Sequence, residues 1–409
     1  MLPLENLPVM TAGNGLKLLD GVRVLDLTTS VAGPYATLLL ADMGATVVKI
    51  ESPGKGDDAR AWGPPFLNGE SLWFASVNRN KQSLTLDYSK QDGLTILKDL
   101  VRISDVVIVN KTLKVQKKLG IDDASLRSEN PTLIHVSITG FGLTGARADL
   151  PCYDLIAEGY SGVMDLTGEP ENGPQKVGTA AADLLAGMDA AMATIAALFE
   201  RTRSGRGHVV DISLVESMTR FMSPRIVPYL GSGQVPRRSG GRDSVIAIYQ
   251  VFEAQDGPLT IGLGNDAIWG RFWNAVGDPE FGAKQEYSSN SLRQGARAEI
   301  VERIKRIIGE RPRIQWLEIF KKARIPAGPI YRVDEVAMDR ELTQRGMFYS
   351  VNHADSQMPQ VGFGIHIDGS SATYRRSPPR LGEDSDVVLR DWLAMTQAKI
   401  AQLRQSNLI

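Results

Sequence analysis

A chain of 409 residues is longer than the ~250–300 residues at which a single core stops growing, so two or more domains are expected. Its net charge of −1 and its lack of any basic run argue against nucleic acid or an anionic membrane as the main partner. One cysteine, Cys152, excludes a disulfide framework, and four scattered histidines lack metal-ligand spacing, so no metal is expected. The pattern is read as holding no apolar run of the ~18 residues that a membrane helix needs. The first sixteen residues, with Glu5 and no arginine, match neither a signal-peptide nor a transit layout, and a soluble cytoplasmic protein is the expectation.

Residues 1–17 read as a peripheral extension. Val22-Arg-Val-Leu-Asp-Leu27 then predicts a buried strand, Pro34 to Met43 a helix with proline in its first turn, and Thr46-Val-Val-Lys-Ile-Glu51 a second strand. Strand, helix and strand within about thirty residues make a βαβ unit with a parallel pair. The pattern continues through Ser83–Asp87, a helix over 91–102, Asp105–Val109 and Leu133–Ile138. This half is an α/β, doubly wound, Rossmann-like layer. Such sheets bind ligands at the carboxyl ends of their strands. Those ends carry Thr28-Thr-Ser-Val31-Ala32-Gly-Pro34, Ser52 to Arg60, Asn110-Lys111 and Thr139-Gly-Phe141-Gly142. No Gly-x-Gly-x-x-Gly follows the first strand and no Gly-x-x-x-x-Gly-Lys-Ser/Thr occurs, which removes the support for nicotinamide and P-loop nucleotides.

The central stretch is Lys176-Val-Gly-Thr-Ala-Ala-Ala-Asp183, leading into a helix of small and apolar residues over Leu184–Phe199 and then a strand-like His208–Leu214. Asp before an apolar-periodic run is a helix-cap signal, and a carboxylate there accepts backbone N–H bonds and feels the positive helix end. On the residues alone a structural cap is the favoured reading of Asp183. Farther on, the polar, glycine-rich stretch 232–243 reads as a linker. Val245–Phe252 and Pro258–Gly264 flank Ala254-Gln-Asp-Gly257 as a hairpin, with helices near 266–276, 295–309 and 314–323. These make a smaller α+β domain. Ser370-Ser-Ala-Thr373 reads as a loop and Gln397–Ile409 as a surface helix.

Several motifs together resemble the class III CoA-transferase family, which includes formyl-CoA and carnitine CoA-transferases and the α-methylacyl-CoA racemases. They are Leu18-Leu-Asp-Gly-Val-Arg-Val-Leu-Asp-Leu-Thr28, Ala32-Gly-Pro34 and Leu40 to Glu51, then Gly54-Lys-Gly-Asp57 and Asn78-Arg-Asn-Lys-Gln-Ser83. The series Asp154, Ser161-Gly162, Thr167-Gly168, Asp183 and Gly187 follows, with Arg203 to Ser213 and Ile325-Pro-Ala-Gly-Pro-Ile330. The likeness runs from about 18 to 385. Gly56 to Phe66 followed by Val77-Asn-Arg-Asn-Lys81 is most similar to the succinyl-CoA:glutarate branch.

The resemblance implies an acyl-CoA enzyme in which Asp183 is the nucleophile, moving CoA from succinyl-CoA or a similar donor to a dicarboxylic acid. The intermediates would be a mixed anhydride and an aspartyl-CoA thioester, with Gly264 a candidate oxyanion donor. CoA is then a substrate, with no permanently bound cofactor. Candidates for holding it are Val31, Ala32, Lys81, Asn110, Lys111, Lys118, Thr139 and Phe141; Arg60, Lys111 and Tyr153 are candidates on the acid side. The racemase branch uses a His immediately before the Asp at position 154, and this chain has Tyr153 there, preceded by Cys152. An acyl-CoA racemase is the first alternative, a non-catalytic acyl-CoA-binding protein the second. The family likeness further implies a large domain over 18–231, a linker over 232–243, a small domain over 244–334, and a return to the large domain over 335–409. It also implies two subunits interlocked like linked rings.

Overall fold

The computed structural model describes residues 3–354, 356–371 and 373–409, so the expected loop at 370–373 includes one residue, Ala372, outside the described residues. The chain divides into two compact units, one holding the residues up to Val163, Lys176–Pro228 and Asp339–Ile409, the other Met164–Gln175 and Tyr229–Met338.

The first unit is built on six strands, β1 (Arg23–Asp26), β2 (Thr46–Glu51), β3 (Lys81–Thr85), β4 (Val106–Val109), β5 (Ile134–Thr139) and β6 (Val209–Ser213). Their order is β3-β2-β1-β4-β5-β6, with every neighbouring pair parallel. A parallel sheet covered on both faces needs continuous apolar strands, and β4, Val-Val-Ile-Val, is buried at every position. The strand order reverses between β1 and β4, where such sheets leave a crevice for ligands.

Six helices matter for the site: α1 (Ala32–Asp42), α2 (Gln91–Arg102), α3 (Leu113–Leu119), α4 (Asp154–Ser161), α5 (Ala181–Ser204) and α6 (Leu214–Phe221). Helix α5 lies so close on α1 that a Cβ at Gly187 would stand 2.7 Å from the Ala32 carbonyl oxygen. This is why a glycine occupies that turn. By length and composition α5 is apolar enough to cross a membrane, contrary to the reading of the bare pattern. It carries a buried Asp189 that accepts from Ser217 Oγ at 2.7 Å and pairs with Arg220, which marks it as a helix packed within protein.

Buried charge holds the carboxyl ends of β1 and β2. Lys49 and Lys81 are both 0% exposed. Lys49 Nζ lies 2.8 Å from Asp57 and donates to the Thr28 carbonyl at 2.7 Å. Lys81 Nζ lies 3.2 Å from Asp26 and donates to the Pro34 carbonyl and to Asn78 Oδ1, each at 2.8 Å. Burial opposes ionisation of Asp26, but Lys49 and Lys81 outweigh it and hold the carboxyl well below the usual range. Burial likewise works against the charge on Lys49, and Asp26 and Asp57 more than offset it. Asp57 Oδ1 in turn accepts the N–H groups of Ser30 and Ala59, each at 2.9 Å. One charge cluster thereby ties the loop after β1 to the loop after β2.

Two expectations about the ends of the chain change. The extension is not merely peripheral, because Val9–Met10 pairs in parallel with Ser350 and Val351 of the strand Phe348–His353. The C-terminal helix, Gln397–Gln405, is not confined to the surface. It buries Ile400 and Leu403 in the same core as Leu97, Leu100 and Val388.

The second unit is a three-stranded antiparallel sheet, Tyr249–Ala254, Gly257–Gly262 and Ala327–Pro329, packed on an aromatic core that includes Trp269, Phe272, Trp273, Trp316 and Phe320. The hairpin turns at Gln255-Asp256, with Ala254 opposite Gly257. Residues 245–248 do not extend its first strand, because Asp243 Oδ1 takes the N–H groups of Val245 and Ile246. Residues 232–243 belong to this unit: Gly240 N donates to the Gly168 carbonyl at 3.0 Å, and Arg238 pairs with Asp165 at 3.1 Å.

Replacing Lys49 with methionine is expected to leave Asp57 buried without its cation and to cost about 3–5 kcal/mol of unfolding free energy. Urea denaturation checks this; a change under about 1 kcal/mol would show that Lys49 is not the needed counter-charge.

Candidate active site

The site begins with how α5 starts. A helix leaves its first N–H groups without intrahelical partners, and Ala180, the residue before α5, has no side chain to offer them. Asp183 is not the cap; it is the third residue of the helix. The cap comes from Asp154, the first residue of α4, whose Oδ1 accepts the N–H of Ala182 at 2.8 Å and of Asp183 at 3.3 Å. The capping role expected of Asp183 is thus filled by another carboxylate, which leaves the Asp183 side chain free for other work.

Asp183 faces a cleft of about 270 Å³ at the carboxyl ends of the strands, lined also by Thr29, Ser30, Ala32, Asp58, Asn110, Thr139, Cys152 and Tyr153. Among the described residues no donor reaches its carboxylate. Burial, and next the charge of Asp154, push its pKa up to about 7. Cys152 shares this environment, and burial followed by the Asp183 charge pushes its thiol up to about 11. At neutral pH that thiol is protonated and is a poor nucleophile.

The cleft wall is braced from the switch point of the sheet. Asn110, just past β4, accepts the Thr29 N–H at 3.1 Å and donates to the Thr29 carbonyl at 2.7 Å. Gly33 lies against Thr28, whose side chain would stand within 2.4 Å of an added Cβ. Thr139 Oγ1 accepts the Gly142 N–H at 2.9 Å. Gly140 has no room for a side chain because Cys152 Cβ would lie 2.1 Å away.

Of the residues singled out from sequence, Asp183, Ala32, Asn110, Thr139 and Tyr153 therefore meet in one cleft. Val31 is buried at the start of α1. Phe141 packs edge-on to Tyr160 at 4.9 Å. Lys111 is half-buried, has no ion pair among the described residues, and is drawn to a lower pKa by burial and by Lys49. Lys118 is exposed in the last turn of α3. Gly264 lies in the second unit, past the strand Gly257–Gly262.

Two assignments are corrected. Lys81 does not reach a ligand: it is fully buried, and burial pulls its pKa down to about 8 against the attraction of Asp26. Arg60 is not free to hold a diacid, since its guanidinium grips Glu51 through two bonds of 2.7 Å and stacks 3.7 Å over Phe74. Asp154 and Cys152 are the residues of the site that the sequence reading left without a role. The available signal was Asp154 opening a helical pattern, but no spacing rule connects it to a helix start 28 residues on.

The raised pKa has a consequence for stability. A carboxyl lifted above its unfolded value of 3.8 contributes stability that is full below that value and lost once pH has risen through about 7. Asp183→Asn removes this loss. The variant is expected to gain on the parent between pH 4 and 7 and to level off roughly 2–4 kcal/mol more stable. Thermal or urea unfolding across that range checks this, and equal stability of the two proteins at pH 8 would contradict it.

Comparison with known proteins agrees with the geometry. The family model described as CoA-transferase family III matches residues 19–385. The succinate–glutarate CoA-transferase of Agrobacterium fabrum is 37% identical over 91% of this chain and 95% of its own length. The succinyl-CoA:glutarate CoA-transferase of Mus musculus is 35% identical over 97% and 91%. Among solved structures, a CAIB/BAIF family protein from Brucella suis superposes with a TM-score of 0.81 at 35% identity, covering 92% of this chain and all of that one. With a family model spanning most of its length and relatives of this closeness, the chain belongs to CoA-transferase family III and is a CoA-transferase of that family.

Proposed function

We propose that the enzyme moves CoA from succinyl-CoA, or a similar short acyl-CoA, to a dicarboxylic acid, with glutarate the first acceptor to try, and that Asp183 carries the group in transit. The observation that carries this reading is the Asp183 carboxylate, which faces a cleft with no hydrogen-bond donor on it among the described residues while Asp154 does the capping. A structural carboxylate is satisfied by its neighbours; a nucleophile has to keep a lone pair for the substrate.

The steps balance without a net proton. A carboxylate oxygen of Asp183 attacks the thioester carbonyl, the C–S bond breaks, and CoA thiolate leaves a mixed anhydride. The thiolate then attacks the Asp183 carbonyl, expelling the donor acid as its carboxylate and leaving an aspartyl-CoA thioester. The acceptor carboxylate repeats the two steps in reverse. A mixed anhydride is far easier to open than a carboxylate, so one hard exchange becomes a series of easier ones. The half-buried Lys111, without an ion pair among the described residues, suits a phosphate of CoA as a point charge, and Asn110 and Thr139 supply polar contacts in the cleft.

Racemisation needs a second base beside Asp183. Tyr153 stands where the racemase branch has its His, and the Cys152 thiol is held protonated by burial, Asp183 and Asp154, which supports transfer instead. We infer an interlocked homodimer from the family, and the exposed Met188, Met192 and Phe199 on α5 and Phe221 on α6 suit cover by a second copy.

The test mixes the protein with succinyl-CoA and a panel of acids (glutarate, malate, itaconate, citramalate, oxalate, carnitine) and reads every new CoA thioester by mass spectrometry. One new thioester is expected, reduced by at least about a thousandfold in Asp183→Ala. Succinyl-CoA left unchanged across the panel would overturn the donor assignment, and undiminished transfer by the alanine variant would remove Asp183 from the chemistry.

A further inference from the structure

The first two turns of α4 present two acids, Asp154 and Glu158, to the segment that carries the nucleophile. Asp154 Oδ1 holds the N–H groups of Ala182 and Asp183. Glu158 is 0% exposed, and its Oε2 accepts the Val177 N–H at 2.9 Å. Residues four apart on a helix stand one above the other, so the pair grips both ends of the stretch from 177 to 183. No N–H or O–H donor among the described residues reaches Glu158 Oε1, and the Glu158 carboxyl lies within hydrogen-bonding reach of Asp154. Burial raises the pKa of the Glu158 carboxyl and the Asp154 charge adds to this, while the bond from the Val177 N–H and Lys176, whose ammonium donates to the Val177 carbonyl at 2.8 Å, act against it.

We propose that α4 is a two-point clamp in which Asp154 and Glu158 are positioning residues, fixing residues 177–183 and keeping Asp183 beside a negative charge whose repulsion vanishes when Asp183 is acylated. This deepens the reading above and rests on Asp183 being the nucleophile. The groups facing Asp183 are Asp154, the protonated Cys152 thiol, and the Asp58 and Tyr153 side chains of the same cleft, and none of them carries a positive charge. Converting the carboxylate to an anhydride or a thioester removes the buried charge, so the clamp favours the covalent forms over the free anion. Glu158 supports the same segment through the Val177 N–H.

Three variants test this. Asp154→Asn keeps an oxygen for the two N–H groups and removes the charge. The acid limb of kcat/KM against pH should move down by about one pH unit or more. The fraction of enzyme covalently loaded by succinyl-CoA, read on the intact protein after acid quench, should fall by about tenfold. Glu158→Gln, neutral and able to accept from Val177, should leave the acid limb in place and kcat within about threefold. Glu158→Leu should lower kcat by about tenfold or more with KM for succinyl-CoA nearly unchanged. An unmoved acid limb and loaded fraction in Asp154→Asn, or a glutamine variant as impaired as the leucine one, would overturn the proposal. Carbon-13 titration of the aspartate carboxyls in the free enzyme, assigned with Asp183→Asn, reads the Asp183 midpoint with no substrate present. A midpoint that drops in Asp154→Asn while succinyl-CoA goes unused would sustain the clamp and place the failure in the choice of donor; a midpoint that stays would sink the clamp itself.

Discussion

Everything in the first unit leans on the buried contact between Lys49 and Asp57. Two loops leave the carboxyl ends of adjacent strands there, and loops at such positions have backbone groups that a hydrophobic core cannot satisfy. The ion pair gives them an internal anchor: Asp57 takes N–H groups from Ser30 and Ala59 while Lys49 takes the Thr28 carbonyl. A buried charge is expensive unless paired and hydrogen-bonded, and each member of this cluster has both kinds of partner. Asn110, bonded to both the N–H and the carbonyl of Thr29, extends the same bracing across the switch point. The cleft wall is therefore braced by polar contacts within the protein itself.

The same unit treats two aspartates in opposite ways. Asp26 sits between two lysines and accepts from the hydroxyls of Thr28 and Thr37, so it stays ionised and chemically quiet. Asp183 feels the charge of Asp154, and among the described residues no donor reaches its oxygens. Desolvation acts on both; what differs is the sign of the neighbours. Site and scaffold are told apart less by which residues are present than by which of them are left uncompensated.

Much of this architecture was legible in the chain. Runs such as Val106–Val109 and Thr46–Glu51 announce buried parallel strands because a sheet covered on both faces tolerates little else, and Asp183 stands out as the one carboxylate opening a long apolar helix. Other features were hidden for physical reasons. Lys49 and Lys81 look like surface charges, and only the three-dimensional proximity of Asp26 and Asp57 makes their burial tolerable. Residues 164–175 follow α4 directly, yet they pack with residues far along the chain through contacts such as Gly240 to Gly168. The grip of Asp154 on Ala182 was equally invisible, since a cap supplied by a different helix leaves no local spacing to read.

Helix α5 spans 24 residues, a rod of about 36 Å, and it is secured along its whole length. Asp154 holds its first turn, the Gly187 notch seats it on α1, Asp189 is tied to Ser217 and Arg220, and Arg201 near its end pairs with Asp105 beside β4. On the function proposed for Asp183, a carboxylate mounted on such a beam has little latitude to seek its target. The acyl group, the thiolate and the incoming acid would each have to be brought to a stationary oxygen, and the task of accommodating different acids would fall to the opposite wall of the cleft.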